Sequence, residues 1–414
     1  MQERKKGMLA GVRVLEYSSY AACSNVGKLL GLWGAEVIKV EPPGGEIFRV
    51  MGTLTNLPIT PEENPAFQLC NSNKKGVTIN TKTPEGKALF HKLLASCDVF
   101  LTNVRMASLI KNGFGWEELH EKYPALVYCH ISGWGLKGPQ AGESGFDTAC
   151  YWAVSGALAD LAPAGGPPIP PSYGVGDQHM AVYGAAGICA ALFHRAMTGE
   201  GSFAAPSLLG VGAQGHGMMT TYCQKPYQEQ GLGMRYPIGH FNPSYPTFNS
   251  YQCSDGEWVM ITITEYAEKL PKFCEVFGIP ASVYTDPRFS TVEEVQKPEN
   301  LRAMVEHIDA AIGRYTSREV VEMMTAADMV ATTYVHFTDF AENEQAHING
   351  NFEYFTFENG HTVSFPANPV LFNGGEDNYH LTPAPKPGEH NEEVFTALGY
   401  APEELERLRE AKII

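Results

Sequence analysis

The sequence has no long run of apolar residues and no paired cysteines. Its nine cysteines are scattered over 414 residues without a Cys-x-x-Cys spacing, which is typical of reduced thiols and argues against a disulfide framework or a zinc site. The first ten residues contain no apolar segment of the kind that directs secretion, and no stretch approaches the ~20 apolar residues of a membrane span. We therefore expect a cytoplasmic chain that needs neither a metal nor a membrane.

Basic residues are scarce too. The chain has 30 Lys and Arg against 46 Asp and Glu, a formal net charge of −16, which disfavours nucleic acid and anionic membranes as partners. It is 44% hydrophobic and 18% charged, as expected of an ordinary globular protein. Because 414 residues exceed the usual size of a single core, we expect two lobes.

Familiar catalytic signatures are missing as well. The sequence contains no His-Glu-x-x-His, no Gly-x-Ser-x-Gly and no phosphate-binding Gly-x-x-x-x-Gly-Lys-Ser/Thr motif. Two Gly-x-Gly-x-x-Gly patterns occur at 133–138 and 210–215. The first runs into Pro139 rather than into a helix, and the second lies outside any recognisable βαβ unit. A dinucleotide site, and with it a dehydrogenase, is therefore disfavoured.

The first third of the sequence alternates between strand and helix patterns. Strands are predicted at 12–17, 36–41, 76–80, 99–103 and 126–131. Helices are predicted between them at 24–33, 84–95 and 116–122. This alternation indicates a doubly wound α/β sheet, whose ligands bind at the carboxyl ends of the strands. The loops at those ends carry four cations that together predict an anion site, although each alone is an ordinary surface charge: Lys82, Arg105, Lys111 and Lys137.

The stretch from 171 to 199 is the most informative one. Asp177 follows the glycine turn of Gly174 and Gly176 and precedes a long apolar segment that ends at Gly199. The pattern predicts a buried helix over 178–197 with Asp177 as its N-cap. The amide groups at the helix start favour a carboxylate there and can stabilise an oxyanion forming beside it. Asp177 is therefore either a helix cap, the common case, or a nucleophile.

The second half of the sequence predicts a second lobe and a returning tail. A long Gly- and Pro-rich connection spans 199–246, and a hairpin follows at 248–252 and 258–264. Helices are predicted at 266–277 and 300–315, and Thr316 with Glu319 forms a capping-box pattern. A second hairpin is predicted at 351–357 and 361–365 around Asn-Gly at 359–360, before two short amphipathic helices.

Six ordered stretches carry a family resemblance. They are Gly-Ala-Glu-Val-Ile-Lys-Val-Glu at 34–41, Asn-Ser-Asn-Lys-Lys-Gly-Val-Thr-Ile-Asn at 71–80, Gly-Trp-Gly-x-x-Gly-Pro at 133–139, Gly-Phe-Asp at 145–147, Gly-x-Gly-Asp at 174–177 and Gly-Glu-His at 388–390. Over nearly its whole length the chain resembles the family III CoA-transferases, which include formyl-CoA and carnitine CoA-transferases. Within the family, the chain most resembles enzymes of anaerobes that activate (R)-2-hydroxy acids or aryl-lactates. The stretches that carry this resemblance are Glu-Asn-Pro at 63–65, Asn-Val-Arg at 103–105 and Gly-Phe-Asp at 145–147.

The resemblance implies an architecture. A large doubly wound, CoA-binding α/β domain would combine residues 1–221 with a returning segment at 336–414, and a linker with a smaller α+β domain would occupy 222–335. Two such subunits would form an interlocked homodimer. The long connection at 199–246 is the feature of the sequence that suits this arrangement, because loops beyond ~12–15 residues usually serve a purpose.

The resemblance also implies a site and a reaction. Asp177 would be the nucleophile that passes CoA from an acyl-CoA to a free carboxylic acid, through an acyl-aspartyl anhydride and an aspartyl-CoA thioester. The implied contacts of coenzyme A, which binds as part of its acyl thioester, are Tyr20, Ala21, Ala22, Asn80, Thr81, Lys82, Asn103, Val104, Arg105, Lys111 and Lys137. His179 either assists Asp177 or makes an ordinary polar contact.

Two positions depart from the family pattern, and two rival functions share the resemblance. Pro42 stands where the family often has a phosphate-binding Arg, and Pro206 must break or terminate an edge strand. An α-methylacyl-CoA racemase is one rival, but Phe146 replaces the His that such enzymes use, which removes a second base. A non-catalytic CoA-binding protein is the other rival, and Asp177 in its glycine turn argues against it.

Overall fold

Six parallel strands form a central sheet within residues 7–162, 166–168, 171–234 and 236–414, the part of the chain that the computed structural model describes. The strands are β1 Arg13–Tyr17, β2 Glu36–Glu41, β3 Lys75–Thr78, β4 Val99–Thr102, β5 Val127–His130 and β6 Phe203–Ala204. Their order is β3-β2-β1-β4-β5-β6, and neighbouring strands are parallel. Their carboxyl ends therefore meet at one edge, and the predicted doubly wound α/β fold is confirmed.

Helices cover both faces of this sheet. They are α1 Ala21–Leu32, α2 Pro65–Asn71, α3 Pro84–Leu94, α4 Met106–Asn112, α5 Trp116–Lys122, α6 Val175–Thr198 and α7 Leu208–Gly215. On one face, Val26 of α1 and Ile188 of α6 join a buried cluster with Val14. On the other face, Phe90 of α3 packs in a second cluster with Leu15. Adjacent strand residues point to opposite faces, so β1 is buried on both sides.

The chain divides into two compact units. The large unit comprises the described residues up to 155 together with 171–217 and 341–414, and the small unit comprises the described part of 156–170 together with 218–340. The small unit has an antiparallel sheet of β7 Phe248–Gln252, β8 Trp258–Thr262 and β9 Val330–Thr333, which packs with α8 Tyr266–Val276, α9 Pro298–Ile312 and α10 Ser317–Ala326. In the large unit, the hairpin β10 Phe352–Thr356 and β11 Thr362–Pro366 precedes α11 Asn391–Ala397 and α12 Pro402–Glu410.

Shorter helical segments lie between these elements. They are Gly52–Thr55, Ala157–Asp160, Gly217–Tyr222, Lys225–Gln228, Ala281–Tyr284, Val292–Val295, Phe337–Phe340 and Glu344–Ile348. Single turns of 3₁₀ helix lie at Ile47–Val50 and Phe372–Gly375, and a π-helical turn lies at Thr148–Ala153. The 199–246 connection is therefore partly helical, whereas its Gly and Pro content predicts irregular chain.

Most elements of the large unit fall where the sequence predicts them. The helix cap at Thr83 is confirmed, because the Thr83 side chain accepts a hydrogen bond from the Gly86 N–H and Pro84 follows at the first helical position. The strand before Pro206 is confirmed as a short edge strand, since β6 has two residues and lies at the end of the sheet. The capping box of Thr316 and Glu319 is present at the start of α10.

One described helix is more apolar than the sequence analysis allows. Among the described residues, α6 alone is long and apolar enough to span a membrane by length and composition, with 24 residues and a mean hydropathy of 1.3. The expectation that no stretch reaches this level is therefore wrong. One face of α6 packs along α1 and against β5. Only 33% of its apolar window is buried in the single chain, so the predicted buried helix is buried on one face only.

Candidate functional site

The candidate nucleophile lies in the first turn of α6, but it does not cap the helix. α6 begins at Val175, after Gly174 in the left-handed conformation at φ 75°, so Asp177 is the third residue of the helix. The predicted capping role belongs to Asp147. Its carboxylate accepts hydrogen bonds from the N–H groups of Gly174 at 3.0 Å and Gly176 at 2.9 Å. Two of the amide groups that no helix carbonyl can reach are thereby satisfied.

Gly176 makes this arrangement possible. A β-carbon at Gly176 would lie 2.2 Å from Asp147 Oδ1 and 2.4 Å from Cγ of the Tyr151 ring, so any side chain would displace the buried carboxylate. Gly174 is needed for its positive φ and has open space around it. Both glycines and Asp147 stand in motifs of the sequence, but nothing in the sequence predicts that they bind each other.

The two acids of the site, Asp147 and Asp177, both have raised pKa values. Burial, and to a lesser degree the charge of the neighbouring Asp147, raise the pKa of the partly buried Asp177 to about 7. Burial also raises the pKa of Asp147, although the N–H groups of Gly176 and Gly174 oppose this effect. Asp177 is therefore ionised only in part at neutral pH and, once ionised, is poorly solvated. A carboxylate in this state has the properties expected of a nucleophile rather than of a surface cap.

The hydrogen bond of His179 goes to a tyrosine. Its Nδ1 lies 2.8 Å from the Tyr151 hydroxyl, and the Tyr151 ring also contacts His216 at a centroid distance of 5.0 Å. These contacts agree with the second of the two roles considered for His179, an ordinary polar contact rather than assistance to Asp177.

The start of α1 lies beside this site. α1 packs along α6, where a β-carbon at Gly184 would be 2.6 Å from Val26 Cγ2. The Tyr20 ring meets the Phe146 ring edge-on, with centroids 5.6 Å apart, and Phe146 adjoins Asp147. The sequence analysis expects a helix from 24, but α1 begins at Ala21. Ala21 and Ala22 are therefore helical residues, because Tyr20 turns the chain at φ 62°.

The loop after β4 is tied to the same region. Asn103 binds the backbone of Ser19 twice, since its Oδ1 accepts from the Ser19 N–H at 3.1 Å and its Nδ2 donates to the Ser19 carbonyl at 2.7 Å. Arg105 Nη2 donates to Ser144 Oγ at 2.5 Å, next to the Gly-Phe-Asp stretch. The Val104 carbonyl lies 3.0 Å from Nε2 of His130. The structure thus brings Tyr20, Asn103 and Arg105 together with Asp147.

The loop after β3 is connected less directly. Thr81 Oγ1 lies 3.0 Å from the Tyr17 hydroxyl at the end of β1. Asn80 Oδ1 accepts from the Lys82 N–H at 3.3 Å, so the Asn80 side chain shapes its own loop. The remaining predicted cations, Lys82, Lys111 and Lys137, are exposed. Lys111 is predicted in a loop but lies in the last turn of α4. Within the described ranges no ion pair engages any of these three lysines, and their ammonium groups are available to an anion.

A buried ion cluster lies below the start of α1, and the sequence analysis misses it. Its members are Glu16, Lys39, Glu46 and Lys74. Burial would raise the pKa of Glu16, but Lys39 and Lys74 outweigh burial and hold it below its usual value. The sequence does contain a signal for this cluster: Glu16 in β1 and Lys39 in β2 are charged residues inside central parallel strands, where residues are usually apolar.

No metal-binding group emerges from the structure. Among the residues it describes, no group of three His, Cys, Asp or Glu side chains could hold a metal ion. The nine cysteines are all free thiols.

Comparisons with known proteins identify the family. The sequence profile of CoA-transferase family III matches residues 9–391. The chain is 36% identical over 408 residues to the (R)-2-hydroxy-4-methylpentanoate CoA-transferase of Clostridioides difficile, covering 98% of this chain and 99% of the relative. It is 31% identical over 415 residues to the cinnamoyl-CoA:phenyllactate CoA-transferase of Clostridium sporogenes, covering 100% and 98%.

Solved structures share the fold. A CAIB/BAIF family protein from Brucella suis superposes with a TM-score of 0.77 at 24% identity, covering 95% of this chain and 100% of that one. A Mycobacterium tuberculosis protein superposes with a TM-score of 0.79 at 22% identity, covering 95% and 100%. The chain belongs to CoA-transferase family III and is an enzyme of that family.

Proposed function

We propose that Asp177 is the nucleophile with which this CoA-transferase moves CoA from an acyl-CoA to a free carboxylic acid. The observation that carries the proposal is the environment of Asp177. It is partly buried in the first turn of a 24-residue helix, beside a second acid, and its pKa is raised to about 7. A structural cap would accept hydrogen bonds from the helix start, and Asp147 already does so.

The proposed reaction has four balanced steps. The Asp177 carboxylate attacks the donor thioester carbonyl, which forms an acyl-aspartyl anhydride and releases CoA thiolate. The thiolate attacks the aspartyl carbonyl, which gives an aspartyl-CoA thioester and frees the donor acid. The acceptor carboxylate attacks this thioester, forming a second anhydride and releasing thiolate again. Thiolate attack on the acceptor carbonyl then yields the new acyl-CoA and regenerates Asp177.

Each attack places negative charge on an oxygen beside Asp177. The N–H groups of Gly174 and Gly176 bind Asp147, so they are not the donors for this charge. The N–H groups of Val175 and Asp177 belong to the same first turn, where no preceding helix carbonyl can accept from them. We assign them the stabilisation of the developing oxyanion, aided by the helix dipole.

We propose a 2-hydroxy acid with a branched or aromatic side chain as the acceptor class. The support is twofold. One relative is named for (R)-2-hydroxy-4-methylpentanoate and another for phenyllactate. In this chain, the Phe146 ring is 56% exposed next to Asp147 and meets the Tyr20 ring edge-on, which offers an apolar surface beside the nucleophile.

CoA itself would lie along the carboxyl edge of the sheet. We propose that Tyr20, Ala21 and Ala22 contact it at the start of α1. The loops after β3, β4 and β5, together with α4, would contribute the remaining contacts, through Asn80, Thr81, Lys82, Asn103, Val104, Arg105, Lys111 and Lys137. The exposed lysines suit phosphate groups because no acid among the described residues forms an ion pair with them. Pro42 at the end of β2 leaves no cation at that position.

A panel of substrates tests the proposal. Acyl-CoA donors are incubated with 2-hydroxy, aryl and short-chain acids, and the products are read by mass spectrometry. Formation of a new acyl-CoA, with donor acid released in equal amount, supports transfer. Epimerisation of the donor without exchange would instead support a racemase. Enzyme mixed with donor alone should carry CoA on Asp177, and the variant Asp177→Asn, which has the same shape, should carry none.

A further inference from the structure

The buried ion cluster of Glu16, Lys39, Glu46 and Lys74 reaches the backbone of Tyr20. Lys39 Nζ lies 2.9 Å from Glu16 Oε1 and 2.9 Å from Glu46 Oε1, and Lys74 Nζ lies 2.8 Å from Glu16 Oε2. The other carboxylate oxygen of Glu46, Oε2, accepts a hydrogen bond from the Tyr20 N–H at 2.9 Å. One carboxylate thus joins a buried lysine to the residue that begins α1.

Tyr20 has a strained backbone. Its φ of 62° and ψ of −164° lie in a region that glycine occupies and other residues rarely do, at a cost that the surrounding structure must meet. Neighbouring contacts hold this conformation from two sides. Asn103 binds both backbone groups of Ser19, and Glu46 binds the Tyr20 N–H. The side chain of Tyr20 makes no capping hydrogen bond to α1, so the hydrogen bonds that hold the turn come from Glu46 and Asn103.

The position of Glu46 is in turn fixed. Its own N–H donates to Glu41 Oε2 at 2.9 Å, and Glu41 pairs with Arg49 through contacts of 2.8 and 2.6 Å. Glu46 is 7% exposed and Lys39 is fully buried. Burying charged groups such as Glu46 and Lys39 costs free energy. In return, Glu46 holds the turn at Tyr20, which lies beside the candidate site.

We propose that Glu46 is a positioning residue of the enzyme, which holds Tyr20 in its strained conformation and so sets the Tyr20 ring and the α1 start for binding of the CoA thioester. The inference rests on the proposed function, in which Tyr20, Ala21 and Ala22 contact CoA. Glu46 touches neither the reacting atoms nor, in this scheme, the substrate. It acts through Tyr20.

The expected loss of affinity follows from the fraction of molecules that keep the binding conformation of Tyr20. If the anchor is lost, the strain of Tyr20 favours relaxation to ordinary backbone angles, and the fraction of molecules with the binding conformation falls by roughly 5- to 100-fold. The apparent dissociation constant for the CoA thioester rises by the same factor. The rate at saturating substrate changes little, because Asp177 and Asp147 keep their contacts.

The test variant is Glu46→Gln. A glutamine has one acceptor oxygen where the carboxylate has two, so it cannot serve both Lys39 and the Tyr20 N–H. The expected result is a rise of at least about 5-fold in the KM and in the calorimetric Kd for acyl-CoA, with kcat within about 2-fold of the natural enzyme. Lys74→Met is the matched control: it also removes a charge from the cluster and lowers stability, but it contacts neither Glu46 nor Tyr20.

Repeating the test in a second variant, Tyr20→Gly, separates a positioning role of Glu46 from a general loss of stability. Glycine adopts the Tyr20 conformation without strain, so in the variant Tyr20→Gly the turn no longer depends on the anchor. The additional change Glu46→Gln should then alter acyl-CoA affinity by less than about 2-fold, although Tyr20→Gly has its own effect. Comparing the two backgrounds isolates the coupling between Glu46 and Tyr20.

The outcomes are distinguishable. If Glu46→Gln folds and binds acyl-CoA like the natural enzyme, the positioning role is wrong. It is also wrong if Lys74→Met weakens binding as much as Glu46→Gln, or if Glu46→Gln has the same effect in both Tyr20 backgrounds. Failure of the natural enzyme itself to bind or transfer CoA would overturn the proposed function instead.

Discussion

At the scale of single residues, the site depends on two acids with separate tasks. Asp147 is buried and accepts the N–H groups of Gly174 and Gly176, so its charge is stabilised by hydrogen bonds. Asp177 lies in the same turn, and burial together with the charge of Asp147 raises its pKa. A carboxylate is thus a structural cap at position 147 and a candidate nucleophile at position 177. The difference arises because the N–H groups of Gly174 and Gly176 donate to Asp147 and not to Asp177.

Asp177→Asn should abolish activity and stabilise the protein. The neighbouring carboxylate of Asp147 is held by the N–H groups of Gly174 and Gly176 and should not replace Asp177 in forming the anhydride, so kcat should fall at least roughly 10³-fold. Folding raises the Asp177 pKa from 3.8 to about 7, so folded-state stability is lost as pH rises through this interval. Removing the charge should therefore stabilise the fold by about 1–3 kcal/mol at pH 8 and by less at pH 5. Steady-state kinetics and chemical denaturation at both pH values measure the two effects.

The control is Asp160→Asn, which changes an exposed acid in the small unit and should leave both quantities unchanged. A variant Asp177→Asn with near-normal turnover would remove the nucleophile assignment. Equal stabilisation at pH 5 and pH 8 would show that the raised pKa is not its cause.

The pH dependence of activity should follow the ionisation of Asp177. Only the carboxylate attacks, so kcat/KM should fall below a pH of about 7 as Asp177 becomes protonated. Asp147→Asn removes the neighbouring charge that helps to raise this pKa, so the acid limb should move to lower pH. An unmoved limb in a folded Asp147→Asn variant would contradict the coupling of the two acids.

At the scale of elements, α1 and α6 pack closely only because glycine lies between them. A β-carbon at Gly184 would be 2.6 Å from Val26 Cγ2, whereas one at Gly187 would be 3.8 Å from the Ala204 β-carbon. Gly184→Ala should therefore destabilise the protein by about 1–3 kcal/mol through overpacking. Gly187→Ala, on the same helix, should be neutral or stabilising by up to about 1 kcal/mol. Thermal unfolding of the pair checks this, and an equal loss in both would argue against close packing at Gly184.

Charge reversal at the carboxyl edge of the sheet should weaken CoA binding more than the same change at the amino edge. Arg105→Glu, in the loop after β4, should weaken CoA affinity by about 1–3 kcal/mol, as expected when a charge-assisted phosphate contact is lost. Lys122→Glu makes the same charge change before β5, at the amino edge, and should leave CoA affinity unchanged. Calorimetric titration decides, and equal weakening in both would indicate a general electrostatic effect rather than a local site.

Elements with strong local signals could be predicted from sequence. β2 and α5 have the predicted bounds, since the alternation and the flanking turns are local features. α4 is not predicted because it has no side-chain cap at its start and, unlike α5, no acidic residue in its first turn. β9 is not predicted because it is a four-residue strand whose pairing with β8 is distant in sequence. The start of α1 was placed too late, because the turn at Tyr20 depends on Glu46, which is 26 residues away.

The candidate site shows the same division. Asp177 and the glycines around it could be recognised locally, and the family resemblance supported them. The cap supplied by Asp147 could not be predicted, because it comes from 29 residues upstream of Gly176. The sequence also presents Glu16 and Lys39 as charges in separate strands, and only the parallel register of β1 with β2, which pairs them directly, brings them together.

At the scale of the whole molecule, α6 has apolar side chains that are exposed on its surface in the single chain. The side chains of Val182, Tyr183, Phe193 and Met197 are 52%, 42%, 70% and 72% exposed in the single chain. Contiguous apolar surface of this kind is typical of an interface. The family resemblance implies an interlocked homodimer, and we propose that a second copy of the chain covers this face.

If the subunits are interlocked, the dimer cannot separate without unfolding. The expected species at nanomolar protein is therefore twice the chain mass of 45.3 kDa, and it should persist on dilution until the protein unfolds, with apparent stability inseparable from association. Sedimentation velocity measures the mass, and mixing differently tagged dimers measures exchange of subunits. Phe193→Asp, which places a charge on the α6 face, should lower the yield of folded dimer, whereas Lys122→Glu should not. A folded, active monomer, or rapid exchange between tagged dimers, would contradict the interlocked arrangement.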